Sequence, residues 1–105
     1  MRLEGEIYRV ISRTERQVVV DFVPESRIYA AHFPGHPITP GAVLVRMAGE
    51  LLQGDILDAK EIRFLNPVPP GAHGVVFSFE PSEDGQWSLV ISGGDTVYAK
   101  MRLIV

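Results

Sequence analysis

One helix-forming segment of the chain is apolar on nearly every side, and it limits the possible folds severely. The segment AVLVRMAGELLQ, residues 42–53, has no polar face before its end. Thr39 has the side chain of an N-cap, Pro40 suits the first helical position, and Gly54 is typical of the residue that follows a helix. A helix with this pattern is buried, so the rest of the chain has to cover it.

The remaining regular segments have the composition of β-strands. They are rich in β-branched and aromatic residues and are bounded by turn signals such as EDGQ and GGD. The predicted strands are residues 6–12, 17–23, 59–64, 74–79, 86–92 and 96–105, and residues 27–33 are expected to form a short extended piece. A single helix among strands disfavours a parallel βαβ sheet. We therefore predict an α+β domain in which a curved antiparallel sheet wraps one long central apolar helix.

One small sheet covers only part of a helix that is apolar all round. The uncovered side indicates burial by a second copy of the chain, which predicts a homodimer or a larger assembly of dimers. Neither an internal repeat nor a linker divides the sequence, so residues 1–105 are expected to form a single domain.

Composition argues against several classes of function. The chain has no cysteine, which rules out a disulfide framework and a thiol nucleophile and fits a reducing compartment. Its net charge of −3, from 10 basic and 13 acidic residues, argues against non-specific nucleic-acid binding. No apolar window approaches the roughly 20 residues of a membrane-spanning helix, and Glu4 and Glu6 interrupt any signal-peptide pattern. We therefore expect a cytoplasmic protein that binds neither nucleic acid nor a membrane.

The segment HFPGHPITPG lies just before the helix and begins with His32. Its three prolines and two glycines make a stiff loop, and stiffness holds a general base in place. A neutral imidazole is the usual group for taking a proton near pH 7. His32 is therefore a candidate base, although a lone histidine on an apolar run is more often a hydrogen-bonded core residue.

Gly41 stands in the first turn of the predicted helix, where backbone N–H groups have no intrahelical partner. Without a side chain it lets a ligand oxygen approach that N–H closely, and the helix dipole favours negative charge there. An oxyanion-type site beside a histidine base is a recognisable catalytic pair. Tight packing explains the glycine equally well, and spacing alone does not separate the two interpretations.

The other histidines do not predict a metal site. His36 follows His32 by four residues, but the Pro-Gly between them prevents the helical geometry that would bring both onto one face. The neighbouring sequence offers no third ligand, and His73, in a Gly-Ala-His-Gly turn, is expected to be an exposed loop residue. Phosphate-loop, nucleophile-elbow and dinucleotide-binding motifs are absent from the sequence too, so no metal, nucleotide or flavin is implied.

Two motifs together resemble a known enzyme family. HFPGHPITPG followed by an apolar helix is similar to the 3-hydroxyacyl-carrier-protein dehydratases of the FabZ/FabA type, and KEIRFLNPVPPG, residues 60–71, is similar to their Arg-Phe-x-x-Pro-Val-x-Pro-Gly connector. The resemblance implies the hot-dog fold, a dimer with joined sheets, and active-site tunnels along the dimer interface. It also implies a substrate carried on phosphopantetheine, by an acyl-carrier protein or as a CoA thioester, and no further cofactor.

The resemblance also assigns roles to single residues. It implies that His32 removes the α-proton of the substrate and that the N–H of Gly41 holds the thioester carbonyl. The remaining residues implied for the substrate loop are Phe33, Pro34, Gly35 and Pro40. An acyl-carrier protein would be acidic and would seek a basic patch, for which the candidates are Arg27, Lys60 and Arg63.

The chain departs from the family pattern at Arg46, which occupies the position of the family's helix carboxylate. A guanidinium cannot usefully donate or accept a proton near neutral pH, although it can hold a hydroxyl, a carbonyl or an anion by hydrogen bonds. Glu50 lies one helical turn on. It is expected to pair with a buried Arg46 or to offer a carboxylate about 6 Å further along the helix axis.

Three functions therefore stay open. His32 can act as base and then as acid, with water, Arg46 or Glu50 assisting the departing hydroxyl. This predicts a dehydratase of 3-hydroxyacyl thioesters in fatty-acid or related lipid synthesis. Alternatively, the chain binds acyl thioesters without turnover, or it serves as the partner subunit of an active companion chain. A hot-dog thioesterase is the weakest of the three, because His-Phe-Pro-Gly is not the mark of those enzymes.

Overall fold

The computed structural model describes residues 2–31, 39–54, 56–82 and 84–105. This part of the chain contains six strands and two helices. Their order is β1 (Tyr8–Arg13), β2 (Gln17–Phe22), α1 (Arg27–Ala31), α2 (Gly41–Leu52), β3 (Asp58–Phe64), β4 (Val75–Pro81), β5 (Gln86–Gly93) and β6 (Thr96–Ile104). The predicted strands therefore exist, with ends that differ by a few residues from the sequence pattern.

All six strands join one antiparallel sheet in the order β1-β2-β4-β5-β6-β3. Strands β4, β5 and β6 follow one another as hairpins, whereas β3 precedes them in the chain and pairs with β6 at the far edge. Side chains alternate between the two faces, so Val75, Phe77 and Phe79 of β4 are buried and Glu80 is exposed. The prediction of an antiparallel sheet is confirmed.

One face of the sheet and one side of α2 share a single hydrophobic core. The helix contributes Leu44, Met47, Ala48 and Leu51, at the spacing that places side chains on one helix face. The strand residues in the same cluster include Phe77, Ile91 and Leu103, whose exposed fraction is 0%. Burial of this apolar surface supplies the main driving force for folding.

The other side of α2 faces away from this core. Ala42 and Arg46 are exposed, and Val45 and Leu52 are only half-buried. Within a single chain, α2 is therefore buried on one side only, and not on every side as expected. Neither helix of the described residues has the length and the apolar composition of a membrane-spanning segment.

Both ends of α2 differ by one residue from the predicted caps. Pro40 is the N-cap, with φ −61° and ψ 144°, and Gly41 is the first helical residue. The side chain of Thr39 makes no cap, because its hydroxyl is engaged with Tyr29 instead. At the other end Gln53, rather than Gly54, is left-handed, with φ 58° and ψ 37°.

Helix α1 corrects the prediction of an extended piece at residues 27–33. Residues 27–31 are helical, and residues 32 and 33 lie outside the described residues. Ser26 starts the helix, since its hydroxyl accepts the Ile28 N–H at 3.3 Å and its carbonyl accepts the Tyr29 N–H at 3.1 Å. Ile28 and Tyr29 have strand propensity, but the arginine and two alanines of this segment favour a helix, and the helical turn places Tyr29 in the core.

Candidate functional site

Most of the proline- and glycine-rich segment lies outside the described residues. It runs from the end of α1 to Thr39 and contains the candidate base His32. The other candidates that lie there are Phe33, Pro34, Gly35 and His36. The roles predicted for these residues therefore stay predictions. The described structure covers the residues immediately before and after them.

The two sides of this segment are joined by a buried hydrogen bond. The hydroxyls of Tyr29 in α1 and Thr39 lie 2.9 Å apart, and both residues are buried. The backbone N–H of Thr39 also donates to the carbonyl of Val68, at 3.0 Å, in the proline-rich connector between β3 and β4. Three parts of the chain that are separate in sequence thus meet beside the start of α2.

Gly41 is the first residue of α2, as the candidate oxyanion site requires. A β-carbon at this position would lie only 2.8 Å from Cε2 of Phe64, a residue that is 55% exposed at the end of β3. The glycine therefore lets an aromatic side chain rest directly against the beginning of the helix. The Val43 and Leu44 N–H groups donate to the Pro40 carbonyl, at 3.0 and 3.3 Å. The N–H groups of the first two helical residues, Gly41 and Ala42, precede any intrahelical acceptor, so they are the ones able to bind an oxygen of a ligand.

Arg46 and Glu50 line one groove on the side of α2 that faces away from the sheet. The groove has a volume of about 820 Å³. Its lining residues come from α2, the segment after it and the N-terminus: Arg2, Ala42, Val45, Arg46, Gly49, Glu50, Gln53, Gly54 and Ile56. Arg46 is exposed rather than buried as expected, because it projects from the uncovered side of the helix.

The carboxylate of Glu50 binds the N-terminal segment of the chain. It accepts the Leu3 N–H at 2.6 Å, the Tyr8 hydroxyl at 2.8 Å and the Glu4 N–H at 3.1 Å. Burial by itself raises the pKa of Glu50, but these three hydrogen bonds, helped by the charge of Arg2, hold it below the ordinary value. Glu50 is therefore an ionised hydrogen-bond acceptor at neutral pH.

Tyr8 is the part of this arrangement that the sequence analysis missed. It is fully buried, and burial, reinforced by its bond to the Glu50 carboxylate, raises the pKa of its hydroxyl well above the ordinary value. The only signal in the sequence was a carboxylate in an apolar helix, which must find donors when partly buried. Nothing in the local pattern indicates donors more than 40 residues away.

The basic candidates divide between two regions. Lys60 on β3 stands opposite Arg102 on β6, and Arg63 stands opposite Lys100. Arg27 lies on α1 instead, where its guanidinium is 3.2 Å from the Glu6 carboxylate. We call Lys60, Arg63, Lys100 and Arg102 the basic patch. It borders a groove of about 610 Å³ on the outer face of the sheet, lined in part by Val90 of β5.

His73 is exposed in the loop before β4, as predicted. Its Nδ1 lies 3.5 Å from Oδ2 of Asp21, whose other oxygen accepts the Gly74 N–H at 2.8 Å. The Gly74 hydrogen bond and the neighbouring imidazole hold the pKa of Asp21 below its ordinary value. Among the described residues, no three His, Cys, Asp or Glu side chains are grouped so that they could hold a metal ion.

Comparisons with known proteins cover nearly the whole chain. A family model described as "ApeI-like: ApeI dehydratase" matches residues 9–101. A chain of the dehydratase heterocomplex ApeI:P from Xenorhabdus doucetiae has a similar structure, with a TM-score of 0.71 and 14% identity over 92% of this chain and 96% of that chain. An uncharacterized protein from Erwinia carotovora subsp. atroseptica gives a TM-score of 0.57 and 21% identity over 93% and 90%. No curated protein gives a significant match. At these identities, the two structures support the fold alone.

Proposed function

Because the chain belongs to the ApeI-like dehydratase family, we propose that it removes water from 3-hydroxyacyl thioesters in a pathway of lipid synthesis. The substrate arrives on phosphopantetheine, bound to an acyl-carrier protein or to CoA. The observation that carries the proposal is the start of α2 at Gly41. The N–H groups at that point hold the thioester carbonyl and stabilise the negative charge that develops on its oxygen.

His32 is the base in this proposal. Its imidazole takes a proton from C2 of the acyl chain, and the electrons of that C–H bond form the double bond between C2 and C3. The hydroxyl on C3 leaves together with a proton, as water. The N–H of Gly41 assists the first step, because removing a proton from C2 places charge on the thioester oxygen.

The departing hydroxyl receives its proton from His32 as well. Glu50 is not the acid, because the hydrogen bonds from Leu3, Glu4 and Tyr8 keep its pKa low and its carboxylate ionised. Arg46 does not release a proton near neutral pH, but its guanidinium can donate a hydrogen bond to the hydroxyl. The imidazolium formed on His32 then returns its proton, so one residue serves as base and then as acid.

Two copies of the chain join at β3 in this proposal. Strand β3 is at an edge of the sheet, and all of its residues except Ala59 are exposed. The large apolar side chains exposed on β3 and beside it are Leu57, Ile62, Phe64 and Leu65. An edge strand offers unpaired backbone groups to another strand, and Ile62 and Phe64 add apolar surface among the four charged residues of β3. Pairing there continues the sheet and brings a second chain close to Phe64 and the start of α2.

A second candidate function is that of a partner subunit without turnover of its own. It is favoured by Arg46, which takes the place of the helix carboxylate of the FabZ/FabA type. The similar structure from Xenorhabdus doucetiae is itself a heterocomplex. In this alternative, the edge strand β3 binds an active companion chain, and the groove beside Arg46 and Glu50 completes the companion's site.

Hydration of a short enoyl thioester, the reverse reaction, tests the proposal. We expect the wild-type protein to hydrate enoyl-pantetheine. His32→Ala should lower the hydration rate by about 10²–10⁴-fold, the typical contribution of a general base. His73→Ala is the matched control, because this histidine is exposed in a loop of the described structure, and it should keep full activity.

Two outcomes would decide against the proposal. Full activity in a folded His32→Ala protein excludes His32 as the base. A folded wild-type protein that turns over no substrate on its own, yet stimulates a co-expressed companion chain, supports the partner-subunit function instead.

A further inference from the structure

The aromatic ring of Phe64 lies against Gly41, the first residue of α2. The ring atoms nearest to a β-carbon at this glycine would be Cζ, Cε2 and Cε1, so the ring meets the helix with its far edge. We propose that Phe64 is a specificity-determining residue, whose ring limits the substrates to thioesters without a substituent on C2, the carbon next to the thioester carbonyl. This inference rests on the proposed function, because it takes the N–H groups of Gly41 and Ala42 as the holders of that carbonyl.

The backbone that carries the ring is fixed to the neighbouring strand. Phe64 is the last residue of β3, and the next two backbone N–H groups, those of Leu65 and Asn66, both donate to the Tyr98 carbonyl of β6, at 2.8 and 3.2 Å. The side-chain amide of Asn66 also donates to the Val97 carbonyl at 2.8 Å. The ring of Phe64 therefore reaches the helix from a base that three hydrogen bonds hold in place.

The start of α2 is fixed as well. The Thr39 N–H, two residues before Gly41, donates to the Val68 carbonyl at 3.0 Å. Pro40 then has the extended conformation of an N-cap, with φ −61° and ψ 144°, and the helix begins at Gly41. The contact between the ring and the glycine thus joins two fixed points of the backbone.

A substrate carbonyl bound at Gly41 brings its neighbouring atoms close to the ring. A hydrogen bond places the carbonyl oxygen about 2.9 Å from the Gly41 nitrogen, and bond lengths then place C2 within about 5 Å of that nitrogen. Cε2 of Phe64 is also within about 5 Å of it, since a β-carbon 2.8 Å from Cε2 would lie about 2.5 Å from the nitrogen of its own residue. C2 and the ring edge therefore share the space beside one nitrogen, and a methyl group on C2 would have to displace the ring.

C2 is the position at which this contact can select among substrates. The sulfur, on the other side of the carbonyl carbon, carries the same pantetheine chain in every substrate of the class, and the atoms beyond C3 lie further from the helix start. One methyl group is typically worth about 10–200-fold in the discrimination between substrates. The edge of an aromatic ring carries partial positive charge, so the ring also suits the negative charge that develops on the carbonyl oxygen.

The test compares two enoyl thioesters of pantetheine that differ by one methyl group. 2-Butenoyl-pantetheine has hydrogen on C2, and 2-methyl-2-butenoyl-pantetheine has a methyl group there. The ratio of kcat/KM for the first over kcat/KM for the second should be at least about tenfold smaller in Phe64→Ala than in the wild type. The intrinsic reactivity of the two thioesters cancels, because the same ratio is compared between two proteins.

Leu65→Ala is the matched control. Leu65 follows Phe64 and is exposed to a similar extent, 49% against 55%, whereas the three atoms nearest to a β-carbon at Gly41 all belong to Phe64. Both variants remove an exposed apolar side chain beside the edge of the sheet, so an effect that arises through assembly of two chains would appear in both. Leu65→Ala should leave the ratio at the wild-type value. An unchanged ratio in Phe64→Ala, or an equal fall in Leu65→Ala, would overturn the proposal.

A binding measurement separates this inference from the proposed function. If the folded wild-type protein hydrates neither thioester, the proposed reaction falls, and calorimetric titration with butyryl-pantetheine and 2-methylbutyryl-pantetheine then decides about Phe64. The wild type should bind the first of these saturated thioesters at least about tenfold more tightly, and Phe64→Ala should bind both about equally. The same preference in both proteins, or binding of neither thioester, would show that Phe64 does not select at C2.

Discussion

The carboxylate of Glu50 joins α2 to the N-terminal segment, which lies more than 40 residues earlier in the chain. The N–H groups that it accepts belong to residues 47 and 46 positions earlier in the chain, and the third donor is the buried hydroxyl of Tyr8. The carboxylate therefore fastens the N-terminal segment to α2 at the groove that also contains Arg46. As a site-shaping residue it fixes one wall of that groove, which agrees with the proposal that it is not the proton donor.

The substitution Glu50→Gln should lower the free energy of unfolding at neutral pH. In acid, the variant and the wild type should have nearly the same free energy of unfolding. A neutral amide keeps the size of the side chain but weakens the three hydrogen bonds, which predicts a loss of about 1–3 kcal/mol in the free energy of unfolding. The folded-state pKa of Glu50 lies below the unfolded value of about 4.3. The stabilisation is therefore complete above that unfolded value and disappears as the pH falls through the folded-state pKa.

Urea unfolding of both proteins between pH 7 and pH 3 measures this difference. Glu25→Gln is the control, since Glu25 is exposed and should give the wild-type stability at every pH. If the difference in unfolding free energy between wild type and Glu50→Gln stayed constant down to pH 3, the assigned role of the charge would be wrong.

Strand β3 stands out among the elements because it combines an open edge with apolar side chains. The opposite edge of the sheet is β1, and each edge strand has an isoleucine in its bulge. Ile62 lies between the paired residues Lys60 and Arg63, and Ile11 lies between Val10 and Ser12. Ile62 and Ile11 are 39% and 58% exposed. They form a matched pair for testing which edge binds another chain.

Ile62→Glu should weaken self-association by at least about tenfold, because a charge would replace an apolar side chain at the contact between the two strands. Sedimentation velocity over a concentration series measures the dissociation constant of wild type and variant. Ile11→Glu, on the other edge, should associate like the wild type. If Ile11→Glu weakened self-association and Ile62→Glu did not, the interface would lie at β1 instead of β3.

At the scale of the whole molecule, positive charge is concentrated in one patch although the net charge is negative. The chain carries a net charge of −3, yet the basic patch places Lys60 opposite Arg102 and Arg63 opposite Lys100. Like charges directly opposite each other destabilise a sheet. Glu61 lies 3.4 Å from Arg102, and Asp84 is also close enough to interact with the charge of Arg102, whereas Lys60, Arg63 and Lys100 still add three positive charges. An acidic partner would offset these charges, so we propose the patch as the docking surface of the carrier protein.

Arg63→Glu should raise KM about 5–10-fold for a substrate linked to carrier protein at low salt. The charge acts on the encounter with an acidic partner, and screening should reduce the effect at high ionic strength. The same variant should leave KM unchanged for a pantetheine-linked substrate. Steady-state kinetics with both substrates make the comparison.

Arg16→Glu is the control for charge reversal, because Arg16 stands in the turn between β1 and β2, away from the basic patch. An equal rise in KM for both substrates, or the same rise in Arg16→Glu, would show that the patch has no particular part in docking.

The family relationship was largely readable from the sequence. The motifs HFPGHPITPG and KEIRFLNPVPPG predicted a dehydratase family, and membership of the ApeI-like dehydratases confirms it at that level. The narrower FabZ/FabA type, the homodimer and the link to fatty-acid synthesis stay predictions. The match spans residues 9–101, so it covers the two motifs and most of the strands as well.

Local patterns determined the strands and α2, because alternation and helical periodicity are properties of neighbouring residues. They did not determine α1, since a five-residue segment of mixed helix and strand propensity is helical with Tyr29 buried in the core. Nor did they determine the exposure of Arg46, which follows from the side of α2 that the sheet leaves open.

The bonds of Glu50 to the N-terminal segment and of Tyr29 to Thr39 were decided by the tertiary structure alone. A hydrogen bond forms between groups that the fold brings within about 3 Å. Sequence spacing constrains that distance only over a few residues, within one turn or one hairpin. The residue types that could carry chemistry were therefore visible in the sequence, whereas their partners were set by the packing of distant segments.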